Sequence, residues 1–332
     1  MFSFFVSAIF PAQPSRGNEA RAANASKNKE YPVIFVHGFA GYGKLALLSS
    51  YFEGLEEAIA ARAEEGEPAV AVFMPDLPPF APSEVRAPLL AAEIARVLEV
   101  TGAKKVHLVA HSLGGIDARK AIADFSLEDK VFSLTTFATP HHGTIVASTF
   151  QVLPEWMLLS VFAPMDIFYD VMRGHSVGPI QVQKALTQMS PATMAAFNRN
   201  YPPPRGVFLF SIAGVTSHSS TSCDGPWGKP QFQDAPIPFI LPTYLWLRGA
   251  PTDATANDGV VAVISARWEG FLGCVPADHF DEVGKGAELF ASLDSKVLDH
   301  HDFYFRYIKR LQKLAQTEDV AIIEAPFPLL TR

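Results

Sequence analysis

Ser112 stands where a hydroxyl could be made reactive. Before it runs Val106-His107-Leu108-Val109-Ala110-His111, which reads as a short buried strand. After it come Leu113-Gly114-Gly115, and Ile116 to Phe125 reads as a helix. A strand that turns sharply into a helix with Ser at the apex strains that residue's backbone and lifts its Oγ above a sheet. Such a turn needs small neighbours, and Ala110 and Gly114 lie two before and two after. Ala110 takes a place usually held by Gly, so slightly altered packing under the outgoing helix is expected, with the nucleophile's geometry kept. A serine hydroxyl is a weak nucleophile. It needs an imidazole to take its proton and a carboxylate to orient that imidazole. Acyl transfer also needs N–H donors aimed at the oxygen on which charge develops.

This strand, turn and helix form the nucleophile elbow of the α/β-hydrolase fold, in which the partners follow in the order Ser, acid, His. Among the histidines, His141, His142, His175 and His218 come before the candidate acid, and His300 and His301 open a helix where a charged face is the simpler reading. His279 lies in Pro276-Ala277-Asp278-His279-Phe280-Asp281-Glu282-Val283-Gly284, a loop of polar and small residues near the end of the core, and is the leading base. For the acid, Asn257-Asp258-Gly259-Val260-Val261 puts Asp258 at a tight turn beside a short β run, with Asp253 and Asp234 as competitors. One oxyanion donor is expected from the Leu113 N–H. The other is expected from the loop His37-Gly38-Phe39, most simply from Phe39.

The elements that would position these residues alternate. Tyr31 to Val36 reads as a first strand, Leu45 to Ala63 as a helix, and Ala69 to Met74 as the next strand. Ser83 is a suitable N-cap for a helix from Glu84 to Val100, with Leu90, Ile94, Val97 and Leu98 at helical spacing. Val131 to Phe137 and Val207 to Ile212 are further strands, and His300 to Gln316 is a closing helix with a basic face. Continuously apolar strands between helices mean a mostly parallel sheet covered on both faces. The alternation breaks near Thr144. Ile145 to Met172 is unusually apolar, and Pro154, Pro164 and scattered acids exclude a transmembrane helix. It reads as a helical lid, an insertion over about 145–195, or else as a pair of core helices. Ser217 to Asp253 has no assignable structure.

The 332 residues, 48% of them hydrophobic, suffice for one large core with a cap. A formal net charge of −7 without a basic run leaves no footprint for nucleic acid. Residues 1–29 read as a disordered leader or an atypical signal, because the apolar start lacks a basic region and is too short to span a bilayer. The two cysteines, Cys223 and Cys274, suit one disulfide and an oxidising compartment, or two unpaired thiols.

The chain resembles the bacterial family I true lipases, the Pseudomonas and Burkholderia type of triacylglycerol lipase. The likeness rests on the His-Gly loop at 37–43, Ser83-Glu84-Val85-Arg86, the elbow, and Ala138-Thr139-Pro140-His141-His142-Gly143. It continues through Phe197-Asn198-Arg199-Asn200-Tyr201-Pro202, Asn257-Asp258-Gly259-Val260-Val261 and His279-Phe280-Asp281-Glu282-Val283. The resemblance implies Ser112 as nucleophile, Asp258 as acid, His279 as base, and Phe39 and Leu113 as oxyanion donors. It implies no cofactor for the chemistry but a structural calcium near the His loop. Asp281 would be one ligand, the backbone carbonyl of Lys285 another, and Asp234 a further acidic counterpart. The Lys285 side chain and the unaligned setting of Asp234 depart from that pattern. The cysteines depart too, and a Cys223–Cys274 bridge would pin the His loop to the 217–253 excursion. The expected activity is hydrolysis of lipid esters through an acyl-enzyme, by a secreted protein that meets a lipid–water interface. A dedicated folding chaperone is a further possible partner implied by the family. The alternatives are a non-lipolytic carboxylesterase, an acyltransferase, or an inactive binding module on the same fold.

Overall fold

The computed structural model describes residues 30–42, 51–67, 69–173, 176, 178, 180–216, 223–228, 241–249, 256–285 and 298–329. Six parallel strands form one sheet: β1 (Val33–Val36), β2 (Val72–Phe73), β3 (Val106–His111), β4 (Val131–Phe137), β5 (Phe208–Gly214) and β6 (Phe271–Val275), in the order β2-β1-β3-β4-β5-β6. Side chains alternate across a strand, and the sheet uses this to build two cores. Ile34, Val36, Leu108 and Ala110 face one layer, with Leu90, Ile94 and Val97 of α2 (Ser83–Thr101) and Ile122 of α3 (Leu113–Asp124). Phe35, Val109 and Phe137 face the other, with Leu55 of α1 (Leu55–Glu64) and Phe303, Tyr304 and Tyr307 of the closing helix His300–Thr317. Each fully buried aliphatic or aromatic side chain contributes roughly 2 kcal/mol of burial, so both faces hold the sheet flat against its helices.

Several elements differ from expectation for local reasons. Among the described residues the first helix begins at Leu55, after Gly54 in the left-handed conformation (φ 61°); residues 43–50 lie outside that set. Ser83 is not an N-cap: Pro82 takes that place, and the Ser83 hydroxyl is drawn to a buried carboxylate instead. The helix after the elbow starts at Leu113 rather than Ile116, because the Ser112 carbonyl already accepts the Gly115 N–H at 3.1 Å. His300 is fully buried rather than part of a charged face. Its Nε2 lies 2.7 Å from the Glu53 carbonyl, while Lys309 and Lys313 carry the exposed basic side.

Among the described residues four helices lie between β4 and β5: α4 (Ile145–Gln151), α5 (Glu155–Arg173), α6 (Val182–Thr187) and α7 (Pro191–Asn200). Thr144 caps the first and Ser190 the last, each accepting an N–H two or three residues on. Helix α5 runs through Pro164. Its Leu158, Leu159, Phe162 and Tyr169, at near-helical spacing, join an apolar cluster with Phe80, Leu113 and Ile116. Its opposite side leaves Trp156, Val161, Ile167, Phe168 and Val171 exposed. Among the described residues no helix is long and apolar enough to cross a membrane.

Candidate active site

The end of β3 delivers Ser112 with φ 55° and ψ −128°, a backbone conformation that side-chain-bearing residues rarely adopt. The turn is held from two sides. The Ser112 N–H donates to the Phe137 carbonyl at 2.9 Å, and Thr139 Oγ1 donates to the Ser112 carbonyl at 2.8 Å. A Cβ at Gly114 would strike the Val36 carbonyl, and one at Gly115 would strike the Thr139 hydroxyl. The two glycines therefore let the outgoing helix sit directly on β1 and on the loop after β4.

Asp258 is shaped by its own turn. Its Oδ1 accepts the N–H groups of Val260 and Val261 at 2.8 and 2.6 Å, with Gly259 at φ 93° between them. That leaves Oδ2 for His279, whose Nδ1–H donates to it at 2.8 Å. The His279 N–H also donates to the Asp258 carbonyl at 3.0 Å, so acid and base loops are tied through main chain as well as side chain. With Nδ1 protonated, Nε2 accepts from Ser112 Oγ at 3.0 Å. All three side chains are buried, so the hydrogen bonds that join them lie in a low dielectric, where they are strengthened.

The loop after β1 closes against this relay. A Cβ on Gly38 would lie 2.8 Å from Ser112 Cβ and 2.9 Å from Tyr51 Oη, so only glycine lets the loop come this close. Phe39 packs on Phe80 and Phe162, with ring centroids 5.5 and 5.4 Å away, in the same apolar cluster as Leu113.

The other histidines are placed elsewhere. His141 is buried, stacked on Trp268 at 4.5 Å, with Nε2 2.9 Å from Thr136 Oγ1. Both His300 and His301 turn Nε2 toward the Glu53 carbonyl. His175, His218, Asp253 and Asp234 lie outside the described residues.

Three residues that sequence reasoning passed over border the relay. Glu282, fully buried, lies 2.6 Å from His111 Nε2 and 3.9 Å from His279 Nδ1. Tyr51 Oη lies 2.8 Å from His111 Nδ1, and the His111 and His279 rings are 4.6 Å apart. Burial raises the Glu282 carboxyl well above the usual range, with Asp258, Asp278 and Asp281 adding to the shift. Burial likewise lowers His111, with His279 adding to it. Both groups are thus driven toward their neutral forms. A Cβ at Gly214 would collide with Glu282, so glycine at the end of β5 leaves room for that carboxyl.

Asp281 is buried on the short turn Asp281–Val283. The Lys285 ammonium pairs with Glu53 and lies over the Tyr42 ring. Cys223 and Cys274 form a disulfide with Cα atoms 5.4 Å apart, which fastens residue 223 to β6, two residues before the His loop opens at Pro276.

The family model of the alpha/beta hydrolase fold matches residues 31–229. The chain is 28% identical over 316 residues to a triacylglycerol lipase of Pseudomonas fragi, covering 87% of this chain and 98% of that one. It is 30% identical over 191 residues to a triacylglycerol lipase of Burkholderia plantarii, covering 55% and 51%. Among solved structures, Staphylococcus hyicus lipase superposes with a TM-score of 0.65 at 17% identity, over 88% of this chain and 97% of that one.

Proposed function

The chain belongs to the alpha/beta hydrolase fold family, and from that premise we propose that it is a serine hydrolase of carboxylic esters, with triacylglycerols as its substrate class. The observation that carries this reading is the unbroken relay from Ser112 Oγ through His279 to Asp258. Ser112 Oγ attacks the ester carbonyl while His279 Nε2 takes its proton, and Asp258 stabilises the imidazolium. The tetrahedral oxyanion is met by the N–H groups of Phe39 and Leu113. Collapse of that intermediate sends the His279 proton to the departing alcohol and leaves an acyl-enzyme. Water then attacks the acyl carbonyl, giving its proton to His279, and the fatty acid leaves as Ser112 is regenerated.

Lipid substrates are supported by the two-sided apolar character of α5. Its inner aromatic residues fill the space beside Phe39 and Leu113, and its outer residues offer apolar contact to a lipid surface. The segment 145–195 acts as the lid, opening to admit the acyl chain where Phe162 packs in the closed form. The triacylglycerol lipase of Pseudomonas fragi, similar over nearly its whole length, supports the same class. The disulfide supports an exported protein.

A structural calcium is part of the proposal, and the surroundings fit it in charge. The carboxylates of Asp258, Asp278 and Asp281 lie close enough together for all three to act on Glu282, and hard carboxylate and carbonyl oxygens suit that ion. Asp281 and the Lys285 carbonyl would hold it, with the Lys285 ammonium already neutralised by Glu53. The ion would fix the loop and take no part in the bond-making steps.

The test compares wild type with Ser112→Ala on emulsified long-chain and soluble short-chain esters, with and without chelator, beside labelling by a fluorophosphonate. Wild type should be labelled at Ser112, prefer emulsion and lose thermal stability with chelator, and the variant should be inert. Ester hydrolysis retained by Ser112→Ala would refute the mechanism. Preference for soluble short esters would favour a non-lipolytic esterase.

A further inference from the structure

Arg86 is one of the largest fully buried side chains among the described residues, and the acyl-transfer steps give it no part. Its Nε donates to Asp117 Oδ2 at 2.7 Å, Nη1 to the Pro78 carbonyl at 2.8 Å and Nη2 to the His37 carbonyl at 2.6 Å. Asp117 Oδ1 accepts the Ser83 hydroxyl at 2.6 Å. This one cluster therefore joins α2, the helix that leaves the nucleophile, the proline-rich loop at 75–82 that leads into α2, and the first carbonyl of the loop His37-Gly38-Phe39. A dry guanidinium carries a heavy desolvation penalty unless its donors are met. Here they are met by a carboxylate and two carbonyls, in a planar fork that fixes directions as well as distances.

The second hold on that loop comes from His37 itself. The Leu77 N–H donates to His37 Nε2 at 3.1 Å, so the ring proton sits on Nδ1 and is donated to the Gly38 carbonyl 2.9 Å away. The Gly38 carbonyl and the Phe39 N–H belong to one planar peptide unit and point opposite ways. Fixing the His37 and Gly38 carbonyls therefore fixes the heading of the Phe39 N–H. Ala40, next along, is sewn to the Pro79 carbonyl at 2.9 Å.

We infer that Arg86, anchored on Asp117, is a positioning residue that holds the His37 carbonyl so that the Phe39 N–H is aimed at the ester oxygen in the tetrahedral intermediate. The inference rests on the ester-hydrolase reading and on Phe39 as an oxyanion donor. A donor displaced by about 1 Å costs up to roughly 100-fold in rate, and loss of one donor costs about 100- to 1000-fold.

The experiment uses the full chain with Arg86→Lys, which keeps the charge but cannot span two carbonyls, and Asp117→Asn, which loosens the anchor without touching the loop. Active sites are counted by the endpoint of fluorophosphonate labelling, and turnover of a soluble short-chain ester is measured per labelled site across pH. Both variants should lose about 10- to 100-fold in kcat, with KM within twofold and the pH profile of kcat/KM unmoved, because His279 is untouched. Their labelling rate should fall with kcat. Unchanged kcat per labelled site, with only a lowered Tm, would overturn the inference and leave Arg86 a structural residue. If Arg86→Lys does not fold, Asp117→Asn decides between the same two outcomes. Failure of the wild type to react with probe or ester would overturn the hydrolase reading and this inference together, whereas a reactive wild type with unaffected variants overturns this inference alone.

Discussion

Removing the Cys223–Cys274 bridge should destabilise the protein without disarming it. The bridge closes a chain separation of 51 residues. In the chain-entropy account a closed loop of that size removes about 14 cal/mol/K from the unfolded ensemble, or about 4 kcal/mol at 25 °C. A chain of 332 residues unfolds with an entropy near 0.7 kcal/mol/K at its midpoint, so this corresponds to about 6 °C in Tm. Both cysteines are buried, one beside β6, but β6 is also held by its ladder to β5 and by the Trp227 N–H on the Leu272 carbonyl at 2.9 Å. Those bonds survive reduction, and the relay should survive with them. The assay is urea unfolding of the native protein and of a Cys223→Ala/Cys274→Ala variant, with thiols counted and ester turnover followed at 25 °C. A fall in unfolding free energy of about 2–4 kcal/mol with turnover within twofold is expected. A bridge-free protein with an unchanged urea midpoint would refute the entropic argument. One that remains folded but loses turnover would show that the bridge, not the sheet, places His279.

Asp258→Asn should lower kcat by about 10³- to 10⁴-fold while leaving Tm nearly unchanged. Its carbonyl oxygen would keep the Val260 and Val261 N–H bonds, so its NH₂ would face His279 Nδ1 and force the proton onto Nε2, the wrong side for accepting from Ser112. Burial lowers the His107 pKa to about 3, so the unfolded chain takes up a proton below about 6.5 that the folded chain refuses. This site's contribution is therefore complete above pH 6.5 and is lost as pH falls toward 3, by roughly 1 kcal/mol per pH unit. Urea unfolding at pH 7, 5 and 4 should show a shallower acid slope for His107→Gln. Replacing Trp156 and Phe168 by Ser should cut turnover of emulsified esters several-fold and leave soluble-ester turnover unchanged, since both side chains point outward. Equal loss on both substrates would place them inside the working site instead.

What was legible in the sequence is what short-range chemistry encodes. Ser112, Asp258 and His279 each sit in a local turn that declares itself: two glycines after Ser112, Asn-Asp-Gly around Asp258, small residues around His279. Chain order then paired them, and the structure brings those three together. Strand β6 gave no periodic signal, because Gly273 interrupts five residues that begin half-buried at Phe271. Glu282 lies three residues after His279, yet its contact with His111 bridges 171 positions and depends on the relative placement of the strand ends, which no local pattern states. Arg86 is the same case. As an exposed helix residue it would be ordinary, and only the packing of α2 on α3 makes it buried and three-handed.

The backbone at Ser112 has a consequence for how such a chain changes over generations. Its φ of 55° with ψ of −128° carries a penalty of roughly 1–3 kcal/mol in any residue with a Cβ. Glycine would relieve it, so Ser112→Gly should unfold at a higher temperature than wild type while being inert. Stability and chemistry therefore pull the same codon in opposite directions. A lineage released from the need to turn over substrate would drift toward a sturdier, silent copy. Persistence of serine at that apex would then be a record of continued use.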